Sequence, residues 1–188
     1  MRFEVTHSYP AGPARVAAML SDEDYLRSSA RASGSVATRT EVTHTEEGSF
    51  VITGTRRLPT DTIPPSLRSF VGSTIELKMV QAWSGPDEDQ GRTATVTMDI
   101  TGTPARCTAR TRLSGSEQAG AEHASASPAN PDQAGAGQTT EIEYIGEVSV
   151  PIPLVGPAVE QAVVDALHKA LDAEHQAALD YLSVTDQQ

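Results

Sequence analysis

Two residues in the first ten could do acid–base chemistry. His7 and Tyr9 stand two apart in the alternating run Phe3-Glu4-Val5-Thr6-His7-Ser8-Tyr9, so in an extended chain both side chains leave the same face. An imidazole beside a phenol can exchange a proton with a bound molecule. Further along, strand parity turns Arg56, Gln81, Trp83 and Tyr144 to the same side as apolar neighbours. Two readings are open for this set of six. In a closed core they are satisfied interior polar groups or rim residues. In a cavity they orient the polar head of a ligand, while Val5, Phe50, Leu77, Met79, Val96, Met98, Leu167 and Leu171 hold its apolar body.

Other chemistries find little support. The chain has no G-x-S-x-G, no Walker A loop, no G-x-G-x-x-G and no H-E-x-x-H. Its single cysteine, Cys107, excludes an intrachain disulfide and any zinc site built from several thiolates. On an inward parity it reads as a small buried hydrophobe. His7, His44, His123, His168 and His175 are scattered; the last two share a helix face but lack the carboxylate pattern of a metal pair. Asp87-Glu88-Asp89 reads as a solvated turn. Neither a metal nor a cofactor is expected.

The charge narrows the partners. Fourteen Lys and Arg against twenty-five Asp and Glu leave a formal charge of −11, which argues against a nucleic-acid or anionic-membrane binder. From Glu141 onward there are nine acids and one base, Lys169. No run approaches the 18 apolar residues of a membrane span, so no integral membrane association is expected. The opening Met1-Arg2-Phe3-Glu4 turns polar at once, unlike a signal peptide. A cytoplasmic protein is expected.

The elements that must position these residues read in order. After the first strand, Pro13 suits the first turn of a helix, and Val16, Ala17, Met19 and Leu20 supply its apolar stripe. Ser21 reads as the N-cap of a second short helix, with Asp24 completing an approximate capping box. Strands follow at 35–45 and 49–58 around Glu46-Glu47-Gly48, then a proline-rich loop over 60–72 with one helical turn. More strands run over 73–84, 92–101, 105–113 and 139–150. If the last two pair, Arg106, Arg110 and Arg112 face Glu141, Glu143 and Glu147. Residues 115–138 hold seven Ala and four Gly but no Leu, Ile, Val, Met or aromatic residue. The composition predicts a flexible insertion within one domain spanning 1–188. A long amphipathic helix of about 28 residues closes the chain. Its inner stripe reads as Val155, Val159, Val163, Leu167, Leu171, Ala178 and Leu182; Asp172 falls on the solvent side.

A curved antiparallel sheet with one apolar face needs a lid, and only the long helix can provide it. Many alanines line that helix, which leaves room for a ligand. Trp83 is expected to border that space at its mouth, where an indole finds both apolar and polar contact. The resulting fold class is α+β: a sheet of about six or seven strands wrapped around a long C-terminal helix, with two short helices after the first strand.

Certain stretches carry a family resemblance. They are Phe3 to Ala11 with Val16, Asp24-Tyr25-Leu26, and Leu58-Pro59 through Ile63-Pro64 to Leu67-Arg68-Ser69-Phe70-Val71-Gly72. Trp83 and Val150-Pro151-Ile152-Pro153-Leu154-Val155-Gly156 with Glu160 complete them. Together they resemble an actinobacterial family of unknown function within the START-like, helix-grip superfamily, which includes lipid-transfer, pollen-allergen-like and polyketide-cyclase proteins. The resemblance implies the helix-grip fold and a cavity for a hydrophobic ligand. It transfers no catalytic residue. The expected function is a noncatalytic binding or carrier protein for a small hydrophobic molecule, such as a lipid, isoprenoid or polyketide. One alternative is a cyclase- or hydratase-type enzyme using His7 and Tyr9. Another is a protein-interaction module with a filled core, for which the acidic helix face is the hint.

Overall fold

The alternating run at the start forms an edge strand, β1 (Arg2–Tyr9), and Pro10 ends it by withholding a backbone donor. In the computed structural model, which describes residues 1–45, 47–59, 74–117 and 138–185, two short helices follow. Helix α1 (Pro13–Leu20) has proline in its first turn, as expected. Helix α2 (Glu23–Ala32) is capped by Asp22, whose carboxylate accepts from the Asp24 and Tyr25 N–H groups. Ser21 is therefore not the cap. Its hydroxyl instead donates back to the carbonyls of Ala17 and Ala18, closing α1. An ionised carboxylate one residue later is the better partner for the positive end of α2.

The remaining strands are β2 (Ala37–His44), β3 (Phe50–Pro59), β4 (Thr74–Trp83), β5 (Arg92–Ile100), β6 (Arg106–Glu117) and β7 (Gln138–Ser149). They form one antiparallel sheet in the order β1-β7-β6-β5-β4-β3-β2. Gly48, at φ +74°, makes the turn between β2 and β3, a conformation open to glycine at little cost. Alternation holds along β4, where Ile75, Met79 and Trp83 are buried and Lys78, Val80 and Ala82 are exposed. The proline-rich loop over 60–72 lies outside the described residues.

The β6–β7 hairpin is longer than its apolar pattern predicts. Pairing continues beyond Leu113↔Ile142 to Glu117↔Gln138, so residues 115–117 and 138 are strand. Backbone pairing needs no apolar side chain, and Ser116 and Thr139 add a hydroxyl contact of 2.8 Å. At Gly115 a Cβ would lie 2.6 Å from the Pro13 ring, so only glycine lets α1 sit this close. The rest of the proposed insertion, 118–137, lies outside the described residues. The expected Arg–Glu ladder is also revised. Arg112 stands opposite Glu143 in register, but Arg106 stands opposite Ser149 and pairs instead with Asp99 on β5, at 2.7 Å.

Helix α3 (Gly156–Thr185) runs for 30 residues against the concave face of the sheet. Its most buried line passes through Val164, Ala178 and Leu182, which also carries His168, Leu171 and His175 by helical spacing. The expected stripe is thus turned toward two histidines. Leu167 is only half-buried and Val164, unassigned in the sequence, is buried. Polar residues with partners inside the fold occupy positions that a count of apolar residues gives to the surface.

Two apolar clusters hold the layers together. One gathers α1, α2 and the C-terminal turns of α3 over Phe50, Trp83, Leu113 and Ile142. The other sets Val164 and its neighbours over Phe3, Cys107, Ala109 and Val148.

Candidate ligand-binding site

Between the two clusters, α3 is gripped from both sides by polar contacts. On one side, His7 of β1 places Nε2 3.1 Å from Asp172 Oδ1. Its ring stacks on His175 with centroids 4.3 Å apart, and His175 Nε2 lies 2.9 Å from the Ser8 carbonyl. On the other side, Arg56 of β3 donates to the Glu174 carboxylate and, at 3.2 Å, to Ser33 Oγ at the end of α2. Asp172 and Glu174 are two residues apart, and about 200° around a helix, so one reaches β1 and the other β3. Asp172, expected to be an idle solvent residue, keeps a largely exposed side chain yet holds His7.

Three phenols fill the space beneath. Tyr9 shares a hydrogen bond with Tyr144 and meets His175 edge-on at 5.0 Å. Tyr25 packs against Tyr181 at 5.7 Å and directs its hydroxyl to the Glu174 carbonyl, 3.5 Å away. Burial pushes the Tyr9 hydroxyl up to about 12; the Tyr144 hydrogen bond opposes the rise and the Glu174 charge adds to it. Tyr25 and Tyr144 are raised as well, again chiefly by burial. For Arg56, burial works against the cation, but the charge and hydrogen bond of Glu174 outweigh it. At neutral pH the phenols are therefore hydrogen-bond donors, not bases. Cys107, pushed up to about 11 by burial, remains a thiol.

The Tyr9 shift carries a stability prediction. Above pH 10 the unfolded chain gives up this proton while the folded chain keeps it, so stability falls as pH rises from about 10 to 12. A difference of two pH units corresponds to at most about 2.7 kcal/mol. Alkaline unfolding followed by circular dichroism should show this loss in the wild type and a smaller one in Tyr9→Phe. Equal slopes in the two proteins would refute it.

The other sequence-derived candidates divide. Phe50 and Trp83 are buried and stacked, 5.8 Å apart, in the first cluster. The Trp83 N–H donates to Gln81 Oε1 at 3.2 Å, and Gln81 Nε2 approaches Met79 Sδ at 3.4 Å. The indole thus finds its acceptor two residues away on its own strand. Only 3% exposed, Trp83 belongs to a packed end of the fold and not to a mouth. Phe50 and Trp83 lie in the same apolar cluster as Tyr9, with Tyr144 packed against it, while Gln81 bonds to Trp83 and Met79 on its own strand. Met79 is buried, whereas Val5, Leu77, Val96, Met98, Leu167 and Leu171 are half-buried along the inner faces of sheet and helix.

The sequence reading missed Asp172, Glu174, His175, Tyr25 and Ser33 as parts of this network. The seven-residue spacing of His168 and His175 was the available signal, since it puts both on one helix face. The best-formed clefts of the described residues lie elsewhere. One, of about 420 Å³, opens between α2 and β2 and includes Arg27, Arg31 and Arg39. The other, of about 320 Å³, lies where Thr103 to Arg106 meet Ser149 and Pro151. Among the described residues, no three His, Cys, Asp or Glu side chains converge as a metal site would require. Nor is any described helix long and apolar enough to cross a membrane.

The model of a family described as "Protein of unknown function (DUF2505)" matches residues 4–182. No curated protein matches the chain. Among solved structures, TTHA0849 from Thermus thermophilus is similar over 96% of this chain and 99% of its own length, with 12% identity and a TM-score of 0.51. A conserved protein from Geobacillus kaustophilus follows at 9% identity and a TM-score of 0.47, with 96% of each chain covered. Ara h 8.0201 has 14% identity and a TM-score of 0.43, covering 96% of this chain and 98% of its own. The likeness to TTHA0849 is one of fold, and the architecture is a helix grip, a seven-stranded antiparallel sheet with a long C-terminal helix packed on it.

Proposed function

We propose that this chain, which belongs to the DUF2505 family, is a noncatalytic binding or carrier protein for a small hydrophobic molecule. The ligand, of lipid, isoprenoid or polyketide type, would lie between the concave sheet face and α3, in a protein that works in the cytoplasm. One observation carries the reading. Val5, Leu77, Val96, Met98 and Ile100 line the inner face of the sheet, and Leu167 and Leu171 line the helix, yet all seven are only half-buried. Large apolar side chains that face inward and still meet solvent are what an apolar ligand covers at about 25 cal/mol per Å².

The enzyme reading has one observation in its favour, the His7–Asp172 pair, which orients an imidazole as a general base requires. Its proposed partner weakens it: Tyr9 is buried and already shares its hydrogen bond with Tyr144. The first reading therefore stands ahead. Native mass spectrometry of the purified protein tests it. The expected spectrum contains a 1:1 species with an apolar molecule of a few hundred daltons, or acquires one when an apolar probe is added. A chain that stays bare against a broad apolar panel would overturn the proposal.

A further inference from the structure

Among the described residues, four buried side-chain polar atoms have no hydrogen-bond partner, and two of them belong to the sheet and the helix that enclose this interior. These two are Thr111 Oγ1 on β6 and His168 Nε2 on α3. The Thr111 residue is 2% exposed and sits in the inward row that runs Val5↔Tyr144, Tyr144↔Thr111 and Thr111↔Ala94 across the sheet. His168 is brought to the same level by how α3 travels along β1. Glu160 accepts the Val150 N–H near one end of β1, where the Val148 N–H meets the Met1 carbonyl, and Asp172 meets His7 near the other. Twelve helical residues cover about 18 Å and six strand residues about 20 Å, so the two elements keep step. His168 is two-thirds of the way along and stands level with Val5. It lies between Val164 and His175 on the buried line of the helix.

Buried hydroxyls and ring nitrogens are nearly always partnered, and leaving one unpaired costs free energy that a ligand atom can recover. The tyrosines nearby do not serve the two atoms, because Tyr9 and Tyr144 bond to each other and Tyr25 turns to the Glu174 carbonyl. The available cation is also committed, since Arg56 is paired with Glu174. A carboxylate brought into this interior would meet Glu174 and Asp172, and Arg56, the guanidinium placed here among the described residues, is already paired, which makes the charge costly where water is excluded.

Building on the carrier reading above, we infer that Thr111 Oγ1 and His168 Nε2 form the polar end of the ligand site, and that they take an uncharged oxygen of an otherwise apolar molecule. An alcohol, phenol or ketone fits this chemistry. A fatty-acid carboxylate does not.

Three probes with one common body separate the possibilities: 1-naphthol, naphthalene and 1-naphthoate, each titrated calorimetrically into the full chain. The wild type should prefer naphthol to naphthalene by about tenfold, the effect of one hydrogen bond in a dry site, and should bind naphthoate more weakly than naphthol. Thr111→Val keeps the shape and removes the orphaned hydroxyl. It should fold with an unchanged or higher melting temperature, lose most of the naphthol preference and retain its affinity for naphthalene. His168→Phe should act in the same direction; if it does not fold, the Thr111→Val ratio alone decides. A Thr111→Val protein that keeps the wild-type preference, or a wild type that favours naphthoate, would overturn this assignment while leaving an apolar site in place. A wild type that binds none of the three would overturn the carrier reading along with it.

Discussion

Arg56→Met should destabilise the protein by about 3–5 kcal/mol in urea, the usual cost of leaving one charge of a buried pair without its partner. The side chains of Arg56 and Glu174 are 12% and 23% exposed, and the carboxylate left behind would lie near Tyr9, Tyr25 and Tyr144 without the cation that it pairs with among the described residues. Arg56→Met/Glu174→Met removes both charges at similar volume and should recover most of the loss, because a buried pair contributes little beyond a well-packed apolar substitute. The interaction term of the cycle, read from denaturation midpoints at constant slope, should be several kcal/mol. Additive single-variant losses would show that the two residues do not depend on one another and that Arg56 holds α3 by packing alone. The comparison matters for function, because Arg56 ties β3 to the same helix that His7 ties to β1. If the pair is strongly coupled, α3 is fixed over the sheet and the interior is preformed.

The order of elements was legible because alternation survives wherever one face is buried. β4 shows this in Ile75, Met79 and Trp83, and β6 in Cys107, Ala109 and Leu113. What parity could not show is which inward residues meet. Tyr9 and Tyr144 lie at opposite ends of the sequence and come together because β1 pairs with β7, a long-range choice that neither strand encodes locally. Arg56 lies on the inward parity, but its partner sits on a helix whose acidic residues all look like solvent residues in a count of charges. Glu174 differs from Asp165 and Asp180 only in what stands opposite it. The same limit turned the helix. Apolar spacing favoured Leu167, whereas the folded chain buries Val164 and turns His168 and His175 inward; His175 can face the core because it stacks on His7 and bonds to the Ser8 carbonyl. The extended hairpin past Leu113 has a different cause: main-chain pairing continues through Gly115 and Ser116 with no apolar side chain to announce it.

That rotation of the helix gives the second large effect, and it separates folding from binding. Val164 is 5% exposed and packs in the cluster with Phe3, Cys107, Ala109 and Val148. Val164→Asp puts a carboxylate there with no cation in the cluster, so it should cost several kcal/mol and leave little folded protein at 25 °C. Leu167 packs against the same cluster but is only half-buried. A carboxylate at that position still reaches solvent, so Leu167→Asp should lose about 1–2 kcal/mol and keep its circular dichroism spectrum. Binding should suffer far more than stability. Leu167 stands among the half-buried apolar residues proposed to hold the ligand, and Leu167→Asp should reduce naphthalene affinity at least about tenfold, the cost of removing roughly one buried apolar contact surface. Thermal unfolding and calorimetric titration of the two variants read both effects. If Leu167→Asp unfolds the chain as Val164→Asp does, the helix is seated on the stripe that the apolar spacing predicts and the interior beside it is closed. If Leu167→Asp folds and binds naphthalene as the wild type does, the ligand site does not border this face of α3. A folded Leu167→Asp protein with lost affinity places the ligand against the helix, because the same substitution on the face seated against the sheet is the one that the fold itself cannot accept.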